Sequence, residues 1–512
     1  MIKSASYKKG VVVSTLLNIF SKGIGFLNTL IITFYFGVNA GTDIYFYILA
    51  VAALITGTIN GIDYLVLVPE SMKIRKQQSE TAAQKFINFF IYSYIAIGLA
   101  LALISTIAPV FFYTLFSSYD VHLLKTNVAL LYVGSLILVF QLINNLLAAI
   151  LTAYKFFSAA IISGLITSIF SILFTVFFYQ KLGMAGTLLG VAIGYGVGFF
   201  MLIFSLKRFQ NWNFFNVQFL RDKTVWKNIG LMQLNILPLW LRNYFTIYFL
   251  TGMGAGIITS FNLAQMLAAL PEILILSQVA SVAGIKLSEL AAEKNMDQTN
   301  TLFINLLKSL FIIIIPIALI MAIANKEIIE VVFERGSFDN KAIPITAFCF
   351  FYFAILLPSK IFDLIFTRLF TAFQLYGIST LFAVIAHAIL TALLYFFTVY
   401  FKLTGFFMAL LIGYYIILPI TFLGIIKYKI AGINLQVVIK DTVLLFAVAA
   451  VTYFPANYLF QILEINSILK IILLGIIVFV PFIFMANLLL DLKYQKQLVI
   501  SLFSKAVNFK TV

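Results

Sequence analysis

Residues 10–36 read GVVVSTLLNIFSKGIGFLNTLIITFYF, an apolar run with a single charged residue, Lys22. A helix needs about 20 mainly apolar residues to cross the hydrocarbon core of a bilayer, so this run is long enough to span one. It is too long for the apolar part of a cleaved signal peptide, and it lacks a convincing small-residue cleavage site. We therefore interpret it as a retained first transmembrane helix.

The same pattern continues through the chain. Hydrophobic residues make up 63% of the sequence and charged residues only 10%, whereas a soluble domain carries about 25% charged residues. Spanning runs fall at 10–36, 43–69, 86–107, 126–152, 156–180, 183–206, 228–251, 256–285, 303–325, 343–371, 376–400, 404–426, 441–463 and 467–490. They predict an all-α polytopic membrane protein with about 14 helices, since lipid-exposed strands outside a closed barrel leave backbone groups unpaired.

The basic residues give this topology an orientation. With the N-terminus in the cytoplasm, 23 of the 34 Lys and Arg residues fall in cytoplasmic segments, 7 in external segments and 4 within spans. This distribution follows the positive-inside rule and predicts a bacterial inner-membrane protein with both termini in the cytoplasm. The net charge of +16 is therefore explained by topology rather than by a nucleic-acid-binding face.

Two segment pairs indicate an internal repeat. Residues 37–41 (GVNAG) resemble 252–256 (GMGAG), and residues 151–158 (LTAYKFFS) resemble 370–377 (FTAFQLYG). The offsets of 215 and 219 residues correspond to six helices, and an even number of helices preserves orientation. The halves are therefore expected to be parallel repeats that enclose a central site.

The repeat and the longest polar connection, about 207–227, define the expected domains. These are an N-terminal six-helix lobe, a C-terminal six-helix lobe, a terminal helix pair and a cytoplasmic tail, at residues 1–207, 208–427, 428–490 and 491–512 respectively.

Charged side chains inside spans are costly unless they face a cavity or a partner. The candidates are Lys22, Asp63, Arg242, Glu272, Lys360 and Asp363. Lys22 and Arg242 lie near mid-membrane on helices related by the repeat, which suits an anionic ligand such as a diphosphate; structural pairing or snorkelling is the alternative. Lys308, near the cytoplasmic end of its span, is expected to snorkel.

The remaining charges allow structural or functional interpretations. Lys360 and Asp363 are spaced i,i+3, which favours mutual neutralisation. Asp63 lies about two turns from the cytoplasmic end of its span, close enough to reach water. Glu272 follows the helix-kinking Pro271 and either carries a coupling proton or cation or pairs with Arg242.

The sequence carries no recognised catalytic signature. It has no phosphate-binding lysine loop and no nucleophile elbow. Its one cysteine, Cys349, excludes an internal disulfide framework, and no Cys/His cluster has metal-ligand spacing. We therefore expect neither an enzyme nor a bound cofactor. Parallel repeats around a central site are typical of transporters, and we expect transport to be coupled to the membrane potential, Na⁺ or H⁺.

Several segments resemble the MurJ/MviN lipid II flippase family. Residues 20–26 (FSKGIGF) are similar to its Phe-Ser-Arg-x-x-Gly-Phe, and residues 36–46 (FGVNAGTDIYF) to its Phe-Gly-x-x-x-x-Thr-Asp-x-Phe-Phe. Residues 332–338 (VFERGSF) resemble its Leu-Phe-x-x-Gly-x-Phe, and Lys360 with Arg368-x-Phe370-x-Ala372 resembles its tenth-helix pattern. In this order the motifs are specific to the superfamily that also contains polysaccharide flippases and multidrug antiporters.

The resemblance implies two lobes around a cationic cavity, alternating access, and a lipid-tail groove beside the last two helices. Lys22 fills a basic family position and Asp43 an acidic one, whereas Asn28 and Gln265 stand where the family has charged pairs. The substrate-binding residues expected on this basis are Lys22, Arg242, Asn28, Gln265 and Lys360. The coupling or structural charges expected are Asp43, Asp63, Glu272 and Asp363.

The sequence thus predicts a flippase for an undecaprenyl-diphosphate-linked glycan, either lipid II or a polysaccharide repeat unit. A cation-coupled multidrug antiporter that depends on Glu272 or Asp63 is the alternative, and a non-transporting membrane scaffold is the third interpretation. The expected partners are the lipid-linked glycan and membrane lipids, with no nucleic acid. A monomer is compatible with this architecture, and the sequence does not determine the oligomeric state.

Overall fold

The structure is a computed structural model that describes residues 7–218 and 223–490. The predicted tail, 491–512, lies outside the described residues. Those residues form helices and no strand, which confirms the all-α fold. The long helices, named α1 to α14 in chain order, are Tyr7–Phe36, Ala40–Gln77, Glu80–Ile107, Val128–Ala153, 159–182, 184–210, Lys223–Thr251, Ile257–Ala292, Met296–Ile323, Ile343–Ala372, 376–401, 403–429, Leu435–Ile462 and Ser467–Leu489.

In the described part of the chain, eleven helical segments are long and apolar enough to cross a membrane. Two of these segments, Ala159–Gln210 and Tyr376–Lys429, contain a break with non-helical dihedral angles, at Gly183 and Lys402 respectively. They therefore contain the pairs α5–α6 and α11–α12. Helix α7 is not among the eleven because Lys, Arg, Asn and Gln residues interrupt its apolar sequence. The count of fourteen spans stays a prediction.

Helices α5 and α6 fold back on each other through a stripe of small residues. The stripe consists of Gly186, Gly190, Gly194 and Gly198. A Cβ atom added at Gly194 would lie 2.6 Å from the Cα atom of Thr167, and the hydroxyl of Thr175 donates to that of Thr187 at 2.9 Å. Small residues at four-residue spacing allow helix backbones to approach closely inside a membrane. The stripe therefore fixes the antiparallel packing of the two spans predicted at 156–180 and 183–206.

The sequence repeat reappears in the backbone geometry. Lys155 and Gln374, 219 residues apart, both have positive φ, at 66° and 57°. The breaks at Gly183 and Lys402 have the same separation and φ values of 55° and 50°. Corresponding helices thus end in the same local conformation in each half, as expected for a structural repeat.

The described residues divide into two compact units. Unit 1 contains those up to Ser260 together with Arg335–Ala342, and unit 2 contains Phe261–Glu334 and those from Ile343 onward. Helix α7 groups with the N-terminal helices in this division, which is based on contacts. The predicted lobe boundary at 207, which was based on the repeat, stays a prediction.

Two ion pairs connect the last two helices, α13 and α14, to the rest of unit 2. Lys308 Nζ on α9 lies 2.7 Å from Asp441 Oδ2 on α13, and the two side chains are only 14% and 10% exposed. Lys470 Nζ on α14 lies 3.3 Å from Glu327 Oε1 and 4.3 Å from the centroid of the Phe460 ring. The expectation that Lys308 snorkels is therefore wrong, because a carboxylate on a neighbouring helix neutralises it within the protein.

We expect Asp441→Asn to destabilise the protein by about 3 kcal/mol, because removing one partner leaves Lys308 buried without a counter-charge. The double variant Lys308→Met with Asp441→Leu is expected to recover most of that loss. Glu289→Gln is a suitable control, since Glu289 pairs with Lys286 at 3.1 Å but both side chains are about half exposed. Thermal unfolding in detergent measures all three. Equal losses for Asp441→Asn and Glu289→Gln would contradict the prediction.

Candidate functional site

Helix α1 places Lys22 on an open surface of unit 1. Its side chain is exposed, and no atom lies within 4 Å of a Cβ atom added at Gly23 or Gly25. In the described residues Lys22 forms no ion pair. Further along the helix, Asn28 is half-buried, and its Oδ1 atom is buried without a hydrogen-bond donor in the described region. The open surface around Lys22 can receive an anion.

Helix α7 places the second cation, Arg242, in unit 1. Its side chain is half-buried, and its Nη2 atom lies 3.4 Å from Oδ1 of Asn243. The helix also carries a feature that sequence reasoning missed, a ladder of Trp240, Tyr244 and Tyr248 with stacked rings. Their centroids are 5.6 and 5.9 Å apart, with interplanar angles of 16° and 20°. Aromatic residues spaced four apart were the signal for it.

A cavity of about 360 Å³ separates α7 from α2 within unit 1. Its lining combines the ring of Trp240 with the amide of Gln233, and the Gln233 Nε2 atom donates to the backbone oxygen of Thr58 at 3.0 Å. A mostly apolar pocket with a few fixed polar groups is typical of a ligand site. This cavity and the aromatic ladder extend the candidate site beyond the charged residues.

Asp43 lies at the start of α2 and is fully buried. Its Oδ1 atom accepts hydrogen bonds from the backbone nitrogen and the hydroxyl of Thr259, at 2.8 and 2.6 Å. Its Oδ2 atom accepts one from the backbone nitrogen of Gly256 at 2.5 Å. These donors lie at the N-terminus of α8, where backbone N–H groups lack helical partners and negative charge is favoured. The contacts are those of a helix cap supplied by another helix.

Asp63 lies on the same helix, 20 residues beyond Asp43 and therefore about 30 Å along its axis. Its side chain is 0% exposed, so the expectation that it reaches water is wrong. Burial results because α2 continues to Gln77 and because Tyr94 covers the carboxyl group, donating its hydroxyl to Oδ1 at 2.7 Å. The structure thus separates these two carboxylates into different sites.

Asp63 in the second predicted span and Glu272 in the eighth each begin a π-helical turn. These turns are Asp63–Leu67 in α2 and Glu272–Leu276 in α8. A π-turn is a rare departure from α-helical hydrogen bonding that occurs often at functional sites. Glu272 is half-buried and forms no ion pair with the residues that the structure describes. Pro271 was the sequence signal for the second turn; the first had none.

The remaining candidates lie in unit 2. Gln265 is exposed on α8. Lys360 Nζ lies 4.9 Å from the centroid of the Tyr414 ring, a cation–π contact, and Asp363 is exposed one turn later. A further cavity of about 530 Å³, lined by the hydroxyls of Ser281, Ser288 and Thr371 and by Arg368 and Glu289, was not predicted from the sequence.

Comparison with known proteins assigns the chain to a family. The sequence model named Lipid II flippase MurJ matches residues 32–475. The chain belongs to the MurJ lipid II flippase family. A curated relative, "Probable lipid II flippase MurJ" from Borreliella burgdorferi strain B31, is 26% identical over 354 residues, which cover 64% of this chain and 66%, just under two thirds, of the relative.

Solved structures share the MurJ fold. A structure described as "Lipid II flippase MurJ, inward closed conformation" has a TM-score of 0.72 at 21% identity, covering 93% of this chain and 99% of that one. An inward-facing multidrug resistance MATE family transporter of the MOP superfamily has a TM-score of 0.59 at 15% identity, covering 81% and 96%. At these identities the similarity establishes the fold alone. The resemblance inferred from the sequence motifs is confirmed.

Two of the segments that carry the MurJ resemblance contact each other in unit 1. The backbone nitrogen of Ser337 donates to the backbone oxygen of Phe34 at 2.7 Å. Gly37 and Gly336 have positive φ, 67° and 64°, and Cβ atoms added to them would lie 2.2 and 2.3 Å from the backbone oxygens of Ser337 and Phe34 respectively. Only glycine fits this approach, and that explains the glycine of each motif.

Proposed function

We propose that this protein is a flippase that moves an undecaprenyl-diphosphate-linked glycan, lipid II or a polysaccharide repeat unit, across the bacterial inner membrane. The observation that carries the proposal is the match to the MurJ family over residues 32–475. Alternating access between two states is the proposed mechanism, because the substrate site must open to each side in turn. We propose that both termini lie in the cytoplasm.

Lys22 and Arg242 are the proposed ligands of the diphosphate. Each lies well inside a long helix, more than two turns from either end, where a charge is costly unless it serves a cavity or a ligand. Both groups donate charge-assisted hydrogen bonds to phosphate oxygens, Arg242 with a planar fork and Lys22 as a point charge. Asn28, Gln265 and Lys360 are proposed as further polar contacts to the head group.

Coupling rather than catalysis is proposed to drive the cycle. A flippase makes and breaks no covalent bond, so we assign the protein no catalytic residue and no cofactor. The driving force is proposed to be the membrane potential, Na⁺ or H⁺. Asp63 and Glu272, each at a π-turn, are the proposed coupling charges, with Asp43 and Asp363 in structural roles.

Rescue of a bacterial strain depleted of its essential lipid II flippase tests the proposal. Membrane insertion of the protein is confirmed in parallel by immunoblotting of membrane fractions. Growth identifies lipid II as a substrate. Absence of growth with correct insertion rejects lipid II, and rescue of polysaccharide-export mutants then tests the second glycan class. Failure in both, together with drug-dependent proton or sodium flux, would replace the flippase proposal by an antiporter.

Lys22→Ala and Arg242→Ala are each expected to lower transport at least tenfold, because losing one charge-assisted contact to a phosphate removes about 1.5–3 kcal/mol of binding. Lys76→Ala is the control, since Lys76 is an exposed lysine at the end of α2 outside the site. Transport is measured in the rescue assay, or by flipping in proteoliposomes. Normal transport by both site variants would remove Lys22 and Arg242 from the site.

A further inference from the structure

Asp43 and Asp63 have buried carboxyl groups in the described part of unit 1, and Asp63 receives fewer hydrogen bonds than Asp43. The side chain of Asp63 is 0% exposed, and its Oδ1 atom accepts the hydroxyl of Tyr94 at 2.7 Å. Its Oδ2 atom is buried without a donor among the described residues. A carboxylate removed from water without a counter-charge is strongly disfavoured and takes up a proton instead.

The groups around Asp63 supply no such counter-charge. Val66, one turn beyond Asp63 on α2, and Tyr94, which covers its carboxyl group, belong to a cluster of apolar residues that also includes Phe90, Leu147 and Met232. Helix α3 presents one titratable group to Asp63, Tyr94, and its own helix presents Tyr64. Helices α4 and α7 contribute apolar residues to the same cluster, Leu147 and Met232 among them. In the described part of the chain, no lysine or arginine pairs with Asp63.

Asp43, on the same helix, differs from Asp63 in its hydrogen bonds. It is equally buried, but three donors at the N-terminus of α8 hold both of its oxygens. Hydrogen bonds and a helix N-terminus both favour the ionised form. The structure therefore stabilises a negative charge at Asp43 more strongly than at Asp63, where one donor is present and the neutral carboxylic acid is favoured.

The environment of the Asp63 carboxyl group suits a proton better than a metal cation. A hard cation is held by several oxygen ligands, whereas the Asp63 carboxyl group offers one buried oxygen, Oδ2, that has no donor among the described residues. The π-turn that Asp63 begins, Asp63–Leu67, closes with the backbone nitrogen of Val68 donating to the oxygen of Asp63. The titratable group and the helix irregularity therefore coincide at one residue.

We propose that Asp63 and Tyr94 form a proton-binding site that couples the transport cycle to protons. A proton from water binds Oδ2 of the Asp63 carboxylate and gives the neutral acid, while Oδ1 continues to accept the Tyr94 hydroxyl. When unit 1 admits water to the π-turn, the same proton returns to water and the carboxylate is regenerated. The coupling role rests on the proposed flippase function; the binding of the proton does not.

Infrared spectroscopy of the full-length protein in lipid nanodiscs tests the site without transport. At neutral pH the wild type is expected to show the carbonyl stretch of a protonated carboxylic acid, and Asp63→Asn is expected to lose it. Asp120→Asn, at an exposed helix cap, is expected to leave the band unchanged. Tyr94→Phe provides a second variant, which keeps the acid and shifts the band to higher frequency because the hydrogen bond is lost. Identical spectra for the wild type and Asp63→Asn would overturn the proposal.

Flipping of a labelled polyprenyl-diphosphate glycan in proteoliposomes tests the coupling. An imposed pH gradient is expected to change the wild-type rate about tenfold, a typical coupling factor, and to leave the rate of Asp63→Asn unchanged. A wild-type rate that ignores the gradient would overturn the coupling while the flippase function stands. Absence of wild-type flipping for every glycan tested would instead reject the flippase function, and the infrared result would still decide the proton site.

Discussion

Replacing Asp43 by alanine is expected to destabilise the protein by at least about 3 kcal/mol. The substitution leaves three buried donors without an acceptor, the backbone N–H groups of Gly256 and Thr259 and the hydroxyl of Thr259. Each unsatisfied buried group costs about 1–3 kcal/mol. The N-terminus of α8 also loses the negative charge that complements its dipole. The measurements are the thermal unfolding midpoint in detergent and the amount of monodisperse protein recovered from membranes.

Two variants separate this effect from the general loss of a carboxylate. Asp120→Ala removes a carboxylate that caps a short helix through one hydrogen bond of 2.8 Å to the backbone nitrogen of His122, at an exposed position. We expect that change to cost about 1 kcal/mol or less. Thr259→Val removes only one of the three donors to Asp43 and should fall between the two. An Asp43→Ala protein as stable as Asp120→Ala would contradict the cap.

The positions of the helices could be predicted because the bilayer imposes them. The runs at 126–152 and 467–490 correspond to Val128–Ala153 and Ser467–Leu489, within two residues at each end. Agreement is poorer where a helix leaves the apolar layer. The run predicted at 43–69 corresponds to a longer helix, Ala40–Gln77. Its last turns, residues 70–77, are polar and basic, so they remain helical without a hydropathy signal.

The functional roles of charged residues were harder to predict because their partners are distant in sequence. Asp43 is held by residues 213 and 216 positions away, and the partner of Lys308 is Asp441. Hydropathy marks a charge in a span as costly, but it does not show whether a partner offsets the cost. From hydropathy we expect both Lys308 and Asp63 to reach water. In the structure, Lys308 pairs with the carboxylate of Asp441, and Asp63 accepts a hydrogen bond from the phenol of Tyr94.

The two glycine motifs could be predicted only in part from the sequence. The segments 36–46 and 332–338 were recognisable by resemblance, and their glycines at 37 and 336 were visible in the sequence. That the two segments contact each other was not, because nothing in a single sequence pairs residues 300 positions apart. Their contact places Gly336 against the end of α1, and it makes this glycine a sensitive position in unit 1.

Gly336→Ala is accordingly expected to displace the segment Arg335–Ala342 and to destabilise unit 1 by about 3 kcal/mol. Alanine at a φ of 64° costs about 1–2 kcal/mol, and its methyl group would lie 2.3 Å from the backbone oxygen of Phe34. The segment must shift, and it then loses the hydrogen bond from Ser337 to Phe34 and the burial of Phe338, now 2% exposed. Fully burying such a side chain is worth about 2 kcal/mol.

Limited proteolysis with trypsin reports this displacement directly, because cleavage after Arg335 or Lys341 rises as the segment leaves its site. Gly183→Ala is the matched control: Gly183 also has a positive φ, 55°, but no atom lies within 4 Å of its added Cβ. The control includes the backbone strain without the steric overlap, so the difference between the variants isolates the contact between the two motifs. If Gly336→Ala neither accelerates cleavage nor unfolds at a lower temperature than Gly183→Ala, the segment is not held by this contact.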